Sequence, residues 1–490
     1  MNKADLVEAL AKHFDGDRTE AARALDAVLE IVTYEIAAGG RVAVAGFGTF
    51  ETVTRPPRVT RDPRTGRQRR AKATPVPQFR AAAELRAYAS GAKKAPQAHD
   101  RVVARRSANA AARRLLRDSA TDELTRHILD FDPRQPSSYL FAASPGSPQA
   151  AELAAAAQPD LLPWPAGLEP RPVRHSPKPT TTAPLPQADV LVVTYTAAES
   201  HALADVLAPG WDTARWHRYR NGWQALKKSV RDGAPSKVRD QAGLWAATRV
   251  GATSVVLVKS DLHPPTDGGQ LPLRALWWQM IKQVQPRLVI TTGSAGAVGS
   301  DVLLGDVVVS RHVRWGDTLR FSDQPWARDS YTSPASLQGS RFTTASRTLL
   351  PVVAEHLPPA ARPPKIWTDT RSHPAAAIST DFFAFGDARD HSGLHALEPT
   401  SRVVEMHDAA LALACADLAD PPAWVSVRNA SIHRLEAPTF AAERRQAASA
   451  YERYSYWSSV GSAIACWALI AKPVAGELEG SAETGAAGPA

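Results

Sequence analysis

The residues able to do chemistry fall into two groups. The first is the stretch Ile290, Thr291, Thr292, Gly293, Ser294, Ala295, Gly296, Ala297, Val298, Gly299, followed by a β-branched run at 307–309 after Gly305-Asp306. Glycines reach backbone angles barred to other residues, and Ser294 and Ala295 keep the segment slim. A strand at 288–292, a bare turn and a second strand would make a floor where a sugar or phosphate meets main-chain amides. Glu199 adds a carboxylate just past an apolar run at 190–194. Its plainer role is a first-turn glutamate favoured by the helix dipole. The second group is a run of cations from Arg55 to Lys72, nearly free of acids. Arg55, Arg58, Arg61, Arg64 and Arg67 are spaced to track phosphates along a groove. Pro63 sits at a Pro-Arg-Thr-Gly turn, placed as a wedge between base steps.

These residues need positioning elements, and 490 residues give room for more than one domain. The 44% hydrophobic content supports real cores, while 39 prolines call for linkers too. A net charge of +9 favours polyanionic partners. Cys415 and Cys466 are too few for a disulfide framework or a cysteine-built zinc site, which implies a reducing, cytoplasmic setting. Scattered histidines give no metal site, and no cofactor is expected. The opening residues lack the apolar core of a signal peptide, and no apolar run reaches membrane-spanning length, so no membrane partner is expected.

The pattern predicts four segments: 1–92, 93–187, 188–472 and a disordered tail at 473–490. Two helices are predicted over 1–38, with Asn2 capping the first, then strands at 41–44 and 48–53. Residues 93–187 read as an Ala/Pro/Arg-rich linker. Within it, 102–130 holds an amphipathic basic helix, apolar at Leu115, Leu116, Leu124, Ile128 and Leu129. Packing on the next domain or on a second copy is preferred for it over a further DNA contact. From 188, strands at 190–194, 254–258, 288–292, 376–379, 402–406 and 424–427 alternate with helices at 241–250, 273–284, 409–418 and 441–469. Such alternation implies a sheet covered on both faces.

Residues 1–92 carry MNKADLVEAL, AGFGTFE, RDPRTG and VPQF in order. They resemble the HU/IHF family of bacterial architectural DNA-binding proteins. The resemblance implies an α+β domain that forms an intertwined homodimer or higher homo-oligomer. Its β-arms would embrace the minor groove of double-stranded DNA without sequence specificity, giving a nucleoid-associated protein. Pro63 then marks the arm tip, and Arg58, Arg61, Arg69 and Lys72 line the arm. Lys3, Arg55, Arg64, Arg67 and Arg70 complete the candidate DNA-binding set. One departure, Arg80-Ala81-Ala82-Ala83, replaces the proline-glycine type of turn.

Residues 188–470 carry TTGSAGAV, a spacer and GDVVVS. They are similar to the nucleoside phosphorylase/nucleosidase superfamily, especially methylthioadenosine/S-adenosylhomocysteine nucleosidases. That implies a three-layer α/β/α domain hydrolysing the N-glycosidic bond of a purine nucleoside or nucleotide. The reaction needs a base for water, contacts to the ribose and an acid for the departing purine. By the resemblance, Glu199 in VVTYTAAE activates water, while Thr292, Gly293, Ser294, Ala295 and Gly296 form the floor. Ser379 and Phe383, in ISTDFF, belong to the purine loop, with Phe383 stacking on the base. Glu405 and Met406, in VEMHDAA, lie under the sugar. His407 stands where the family has the glutamate that holds the ribose hydroxyls, and Asp408 is an alternative one residue on. Arg428 and Ser431, in VRNASI, match the strand end, but the acid position holds Ile432, which cannot donate a proton. Glu199 suits water activation rather than phosphorolysis. Two readings follow: a DNA-tethered nucleosidase, placed first, and an architectural DNA protein that senses a nucleoside without turnover.

Overall fold

The computed structural model describes residues 2–11, 18–44, 46–61, 68–93, 123–157, 162–299, 301–316, 320–358, 363–368, 376–386, 394 and 400–471, with backbone alone at 19, 20, 23, 24, 27, 31, 58–61 and 68–71. The chain divides into two compact units, Met1–Leu115 and Leu116–Ala490.

In the first unit, helix Lys3–Ala11 starts on a reciprocal cap. The Asp5 amide donates to Asn2 Oδ1 at 2.9 Å, and the Asn2 amide to Asp5 Oδ2 at 2.8 Å. Helix Arg18–Ala37 ends at Gly39, whose φ of 77° only glycine adopts freely. Strands Arg41–Val44, Gly48–Arg55 and Thr74–Ala81 form an antiparallel sheet, with helix Ala83–Ala89 after it. Phe79 packs against Phe47 and Phe50 at 5.3 and 4.7 Å. Arg58–Arg61 and Gln68–Ala71 pair as an antiparallel arm, Arg61 opposite Gln68. Leu6, Val28, Leu29, Tyr34, Phe47 and Phe79 remain exposed on this unit.

The second unit is built on a mixed sheet. Its central strand, Leu288–Ala297, lies parallel to Val190–Thr194 on one side and to Ala423–Ile432 on the other. Its end also pairs antiparallel with Ser401–Glu405. Residues 293–297, expected as a turn, therefore stay in the strand, with a register shift between Ala295 and Gly296. Their backbone groups are taken up by pairing, which a turn would leave unmet. Residues 241–250, expected as a helix, instead form strand Gly243–Val250, antiparallel to Thr253–Ser260. Gly251, at φ 57°, turns the chain between them, and the two-residue connection fixes a hairpin.

Helices cover both faces. Pro272–Val284 and Asp408–Ala416 bury Leu276, Trp277, Met280 and Leu411 on one side. Ala197–Leu207 and the long helix Phe440–Ile470 bury Leu203, Val206, Ile464 and Trp467 on the other. This is the three-layer α/β/α arrangement.

Much of the segment expected as linker is folded with this unit. A helix at 123–130 and helix Pro148–Ala156 place Ile128, Phe131, Tyr139 and Ala150 in one apolar cluster with Phe383, Ile432 and Tyr451. Strand Pro170–Val173 extends the sheet beside Gly243–Val250. Composition hid this because Ala and Pro dominate, while a few large apolar residues carry the packing. Buried Glu452 fixes the segment, accepting bonds from the amides of Leu140, Phe141 and Ala142 and pairing with His127 Nε2 at 2.7 Å. The predicted tail and the rest of the basic helix lie outside the described residues. Among the described residues no helix is long and apolar enough to cross a membrane.

Candidate active site

The central strand and the helix after Val190–Thr194 meet at Glu199. Thr196 caps that helix, and Glu199 closes the capping box. Glu199 Oε2 accepts bonds from Thr194 Oγ1 and from the amides of Tyr195 and Thr196, each at 3.0 Å. Oε1 accepts one bond, from the Ser294 amide at 2.9 Å. Glu199 is thus a capping residue and also a bridge to the central strand. Gly293 makes that bridge fit: a Cβ there would lie 2.3 Å from the Glu199 carboxyl carbon, and φ is 145°.

A second carboxylate closes the other side. Glu405 ends strand Ser401–Glu405 and sits over the start of helix Asp408–Ala416. It accepts bonds from the Ser379 hydroxyl, the His407 amide and the Asp408 amide. Burial, then the Asp408 charge, pushes its carboxyl up to about 8, against the pull of Arg428 at 3.3 Å. His407 stacks on Tyr195 with centroids 3.6 Å apart, and its Nε2 lies 3.2 Å from His263 Nδ1. Burial, with His263 and Arg428 nearby, holds the His407 imidazole well below its ordinary range, so it is neutral.

Asp408 and Arg428 go elsewhere than sequence suggested. Asp408 is fully buried and accepts from Thr291 Oγ1 at 2.8 Å, the Ser426 hydroxyl and Arg428 Nε at 3.0 Å. Arg428, 1% exposed, spends its guanidinium on Asp408, Glu405 and Thr291. Both are core groups beneath the site, because a buried ion pair must be fully satisfied. Neither lines the cleft; nor do Thr292 and Gly293. Ser379 also lies behind the wall, one hydrogen bond from Glu405.

Glu199 and Glu405 open onto one cleft. Its lining brings together Glu199, Ser294, Ala295, Gly296, Phe383, Glu405, Met406 and His407 from the sequence reading. Ile432 also lines it, with Ile128 and Tyr451, which sequence reasoning missed. Tyr451 comes from the long C-terminal helix and donates its hydroxyl to Thr196 Oγ1 at 3.1 Å. Burial, then the Glu199 charge, pushes its phenol well above the ordinary range. An aromatic mid-helix carries no signal beyond packing, and no motif pointed to it. Among the described residues no group of three or more His, Cys, Asp and Glu could hold a metal ion.

In the first unit, Arg58, Arg61, Arg69 and Arg70 stand on the paired strands of the arm. Arg55 ends the strand leading into it, opposite Thr74, and Lys72 is exposed beyond it. Lys3 lies away from the arm in sequence and pairs with Asp26 at 2.5 Å. Pro63, Arg64 and Arg67 lie outside the described residues.

Residues 1–89 match the family model of bacterial DNA-binding proteins. Over 86 residues the chain is 43% identical to DNA-binding protein HU-beta of Pseudomonas fluorescens, covering 96% of that protein and 18% of this chain. Through these residues the chain belongs to the HU family. The HU-type domain is also 50% identical over 97 residues to DNA-binding protein HU 2 of Streptomyces coelicolor, 20% of this chain. There the chain spans only 44% of the relative's length. Residues 250–441 match the family model of the phosphorylase superfamily, so an HU-type domain and a phosphorylase-superfamily domain share one chain. A 5′-methylthioadenosine/S-adenosylhomocysteine nucleosidase from Neisseria meningitidis overlays at a TM-score of 0.35 and 16% identity, covering 58% of this chain and 98% of its own. An Anabaena HU–DNA cocrystal structure overlays at 0.18 and 34%, covering 18% and 98%.

Proposed function

We propose that the HU-type domain holds duplex DNA without sequence preference, and that the second domain hydrolyses the N-glycosidic bond of a purine nucleoside or nucleotide. The observation that carries the second half is the meeting of Glu199, the Ser294 amide and Phe383 in one cleft. Glu199 Oε1 accepts a single bond from the protein, so a lone pair is left for water. Water adds to the anomeric carbon, the carbon–nitrogen bond breaks toward the base, and Glu199 takes the proton. Phe383 gives the base an aromatic face, and Met406 the sugar an apolar one. The second reading is binding without turnover, and Ile432 on the cleft wall favours it.

Incubation with a panel of purine nucleosides and nucleotides, followed by assay of free base, separates the two. Release lost in Glu199→Gln supports hydrolysis. Saturable binding without release supports the second reading, and an absence of both release and binding overturns both.

For the HU-type domain we propose dimers on the nucleoid, with apolar side chains exposed on one copy covered by a second. Duplex binding should weaken steeply with salt. Replacing Arg58 and Arg61 with alanine should lower the salt slope by about 1.8 per binding arm, at about 0.9 for each phosphate left without its cation. An unchanged slope counts against the arm.

A further inference from the structure

We infer that the cleft selects nucleosides whose base carries a fixed positive charge and whose sugar carries no phosphate. This rests on the hydrolase reading above and changes its substrate class from purine nucleosides at large to nucleosides of cationic bases.

The first support is the missing proton. A neutral purine leaves as an anion unless an acid protonates it, and positioned acids supply much of the rate. Ile432, 1% exposed, and Ile128, 2% exposed, give the cleft hydrocarbon beside Phe383. The remaining described groups on the lining are poor donors. The Ser431 hydroxyl donates to the Ala295 carbonyl at 3.3 Å. The Tyr451 hydroxyl donates to Thr196, and burial holds its proton tightly. His407 is neutral and faces His263. Glu405, whose raised carboxyl holds its proton, has both oxygens engaged by the start of the following helix and by Ser379.

A base alkylated on a ring nitrogen, or a pyridinium, needs none of these. Its carbon–nitrogen bond breaks, the electron pair returns to the ring nitrogen, and the base leaves neutral. Water adds to the anomeric carbon and gives its proton to Glu199. Charge and atoms balance without an acid.

The second support is electrostatic. The cleft lining includes two carboxyl side chains, Glu199 and Glu405, and no lysine or arginine among the described residues. Arg428, the cation next to Glu405, is sealed in the core by Asp408. Among the described lining residues a phosphate meets no cation, whereas a cationic ring meets Glu199 and the Phe383 face.

The test uses the full chain with 7-methylguanosine against guanosine, and nicotinamide riboside against its 5′-phosphate. Base release is followed by chromatography and corrected for spontaneous hydrolysis. We expect kcat/KM for 7-methylguanosine about 100-fold above guanosine, the size of a positioned acid's contribution. The riboside should exceed its phosphate by roughly tenfold or more, on the order expected for one unpaired charge. Ile432→Asp should raise guanosine cleavage and narrow the gap; if that variant does not fold, the wild-type ratio decides alone. Guanosine cleaved as fast as 7-methylguanosine, with release lost in Glu199→Gln, overturns this inference and leaves the hydrolase reading standing. No release from any of the four overturns both.

Discussion

The floor of the cleft and its wall are built by opposite physics. On the floor Glu199 and Glu405, and beneath it Asp408 and Arg428, are buried polar groups, each met by several partners. Along the wall, Ile128, Phe383 and Ile432 pack as hydrocarbon and demand only volume. Buried charges fix geometry because each loses hydration that only well-placed partners restore. Apolar packing tolerates change of shape at smaller cost. The floor therefore sets what the fold must keep, and the wall sets what the cleft accepts.

The difference can be broken most sharply at Arg428. Arg428→Met leaves Asp408 and Glu405 buried without their cation, and should cost about 3–5 kcal/mol of stability. Urea unfolding of the variant against the parent checks it; a loss below about 1 kcal/mol would put the pair in solvent rather than in the floor.

Gly293→Ala comes next. Its methyl group would meet the Glu199 carboxyl carbon at 2.3 Å from a backbone glycine favours, an expected cost of about 1–3 kcal/mol. A melting temperature equal to the parent's would show that Glu199 can swing aside.

Glu405 sharpens the comparison through pH. Its carboxyl is raised from an ordinary 4.5 to about 8, chiefly by burial. The folded chain then holds a proton that the unfolded chain has lost across that interval. Its contribution is complete below the lower value and disappears as pH rises to the upper one. Glu405→Gln, which does not titrate, should flatten that fall when denaturation midpoints are compared from acid to mildly alkaline pH. Parallel curves for the two proteins would place the titration elsewhere.

On the wall, Ile432→Val should be mild, about 0.5–1.5 kcal/mol. The measurement is again the unfolding midpoint, and a cost matching that of Arg428→Met would erase the distinction between floor and wall.

Local signals made much of this legible. Small residues between β-branched runs marked the central strand, although its pairing partners kept Gly293 to Ala297 extended. Glu199 advertised a helix start, and the helix begins there, capped by Thr196. Residues 241–250 misled because Ala and Gln favour a helix in isolation; pairing with the strand at 253–260 overrode that preference. Asp408 looked available because its partner Arg428 arrives from another strand, 20 residues on.

By itself the chain's order of residues determined two domains, a basic arm, a sheet with helices on both faces, and a glutamate just past an apolar strand. Each of these is written in neighbouring positions, through periodicity, caps and charge runs. Only the tertiary structure decided that Tyr451 bonds Thr196 across 255 residues, that Ile128 joins the cleft wall, and that Arg428 is spent beneath it. Those choices depend on which distant surfaces exclude water together, and no local pattern records that.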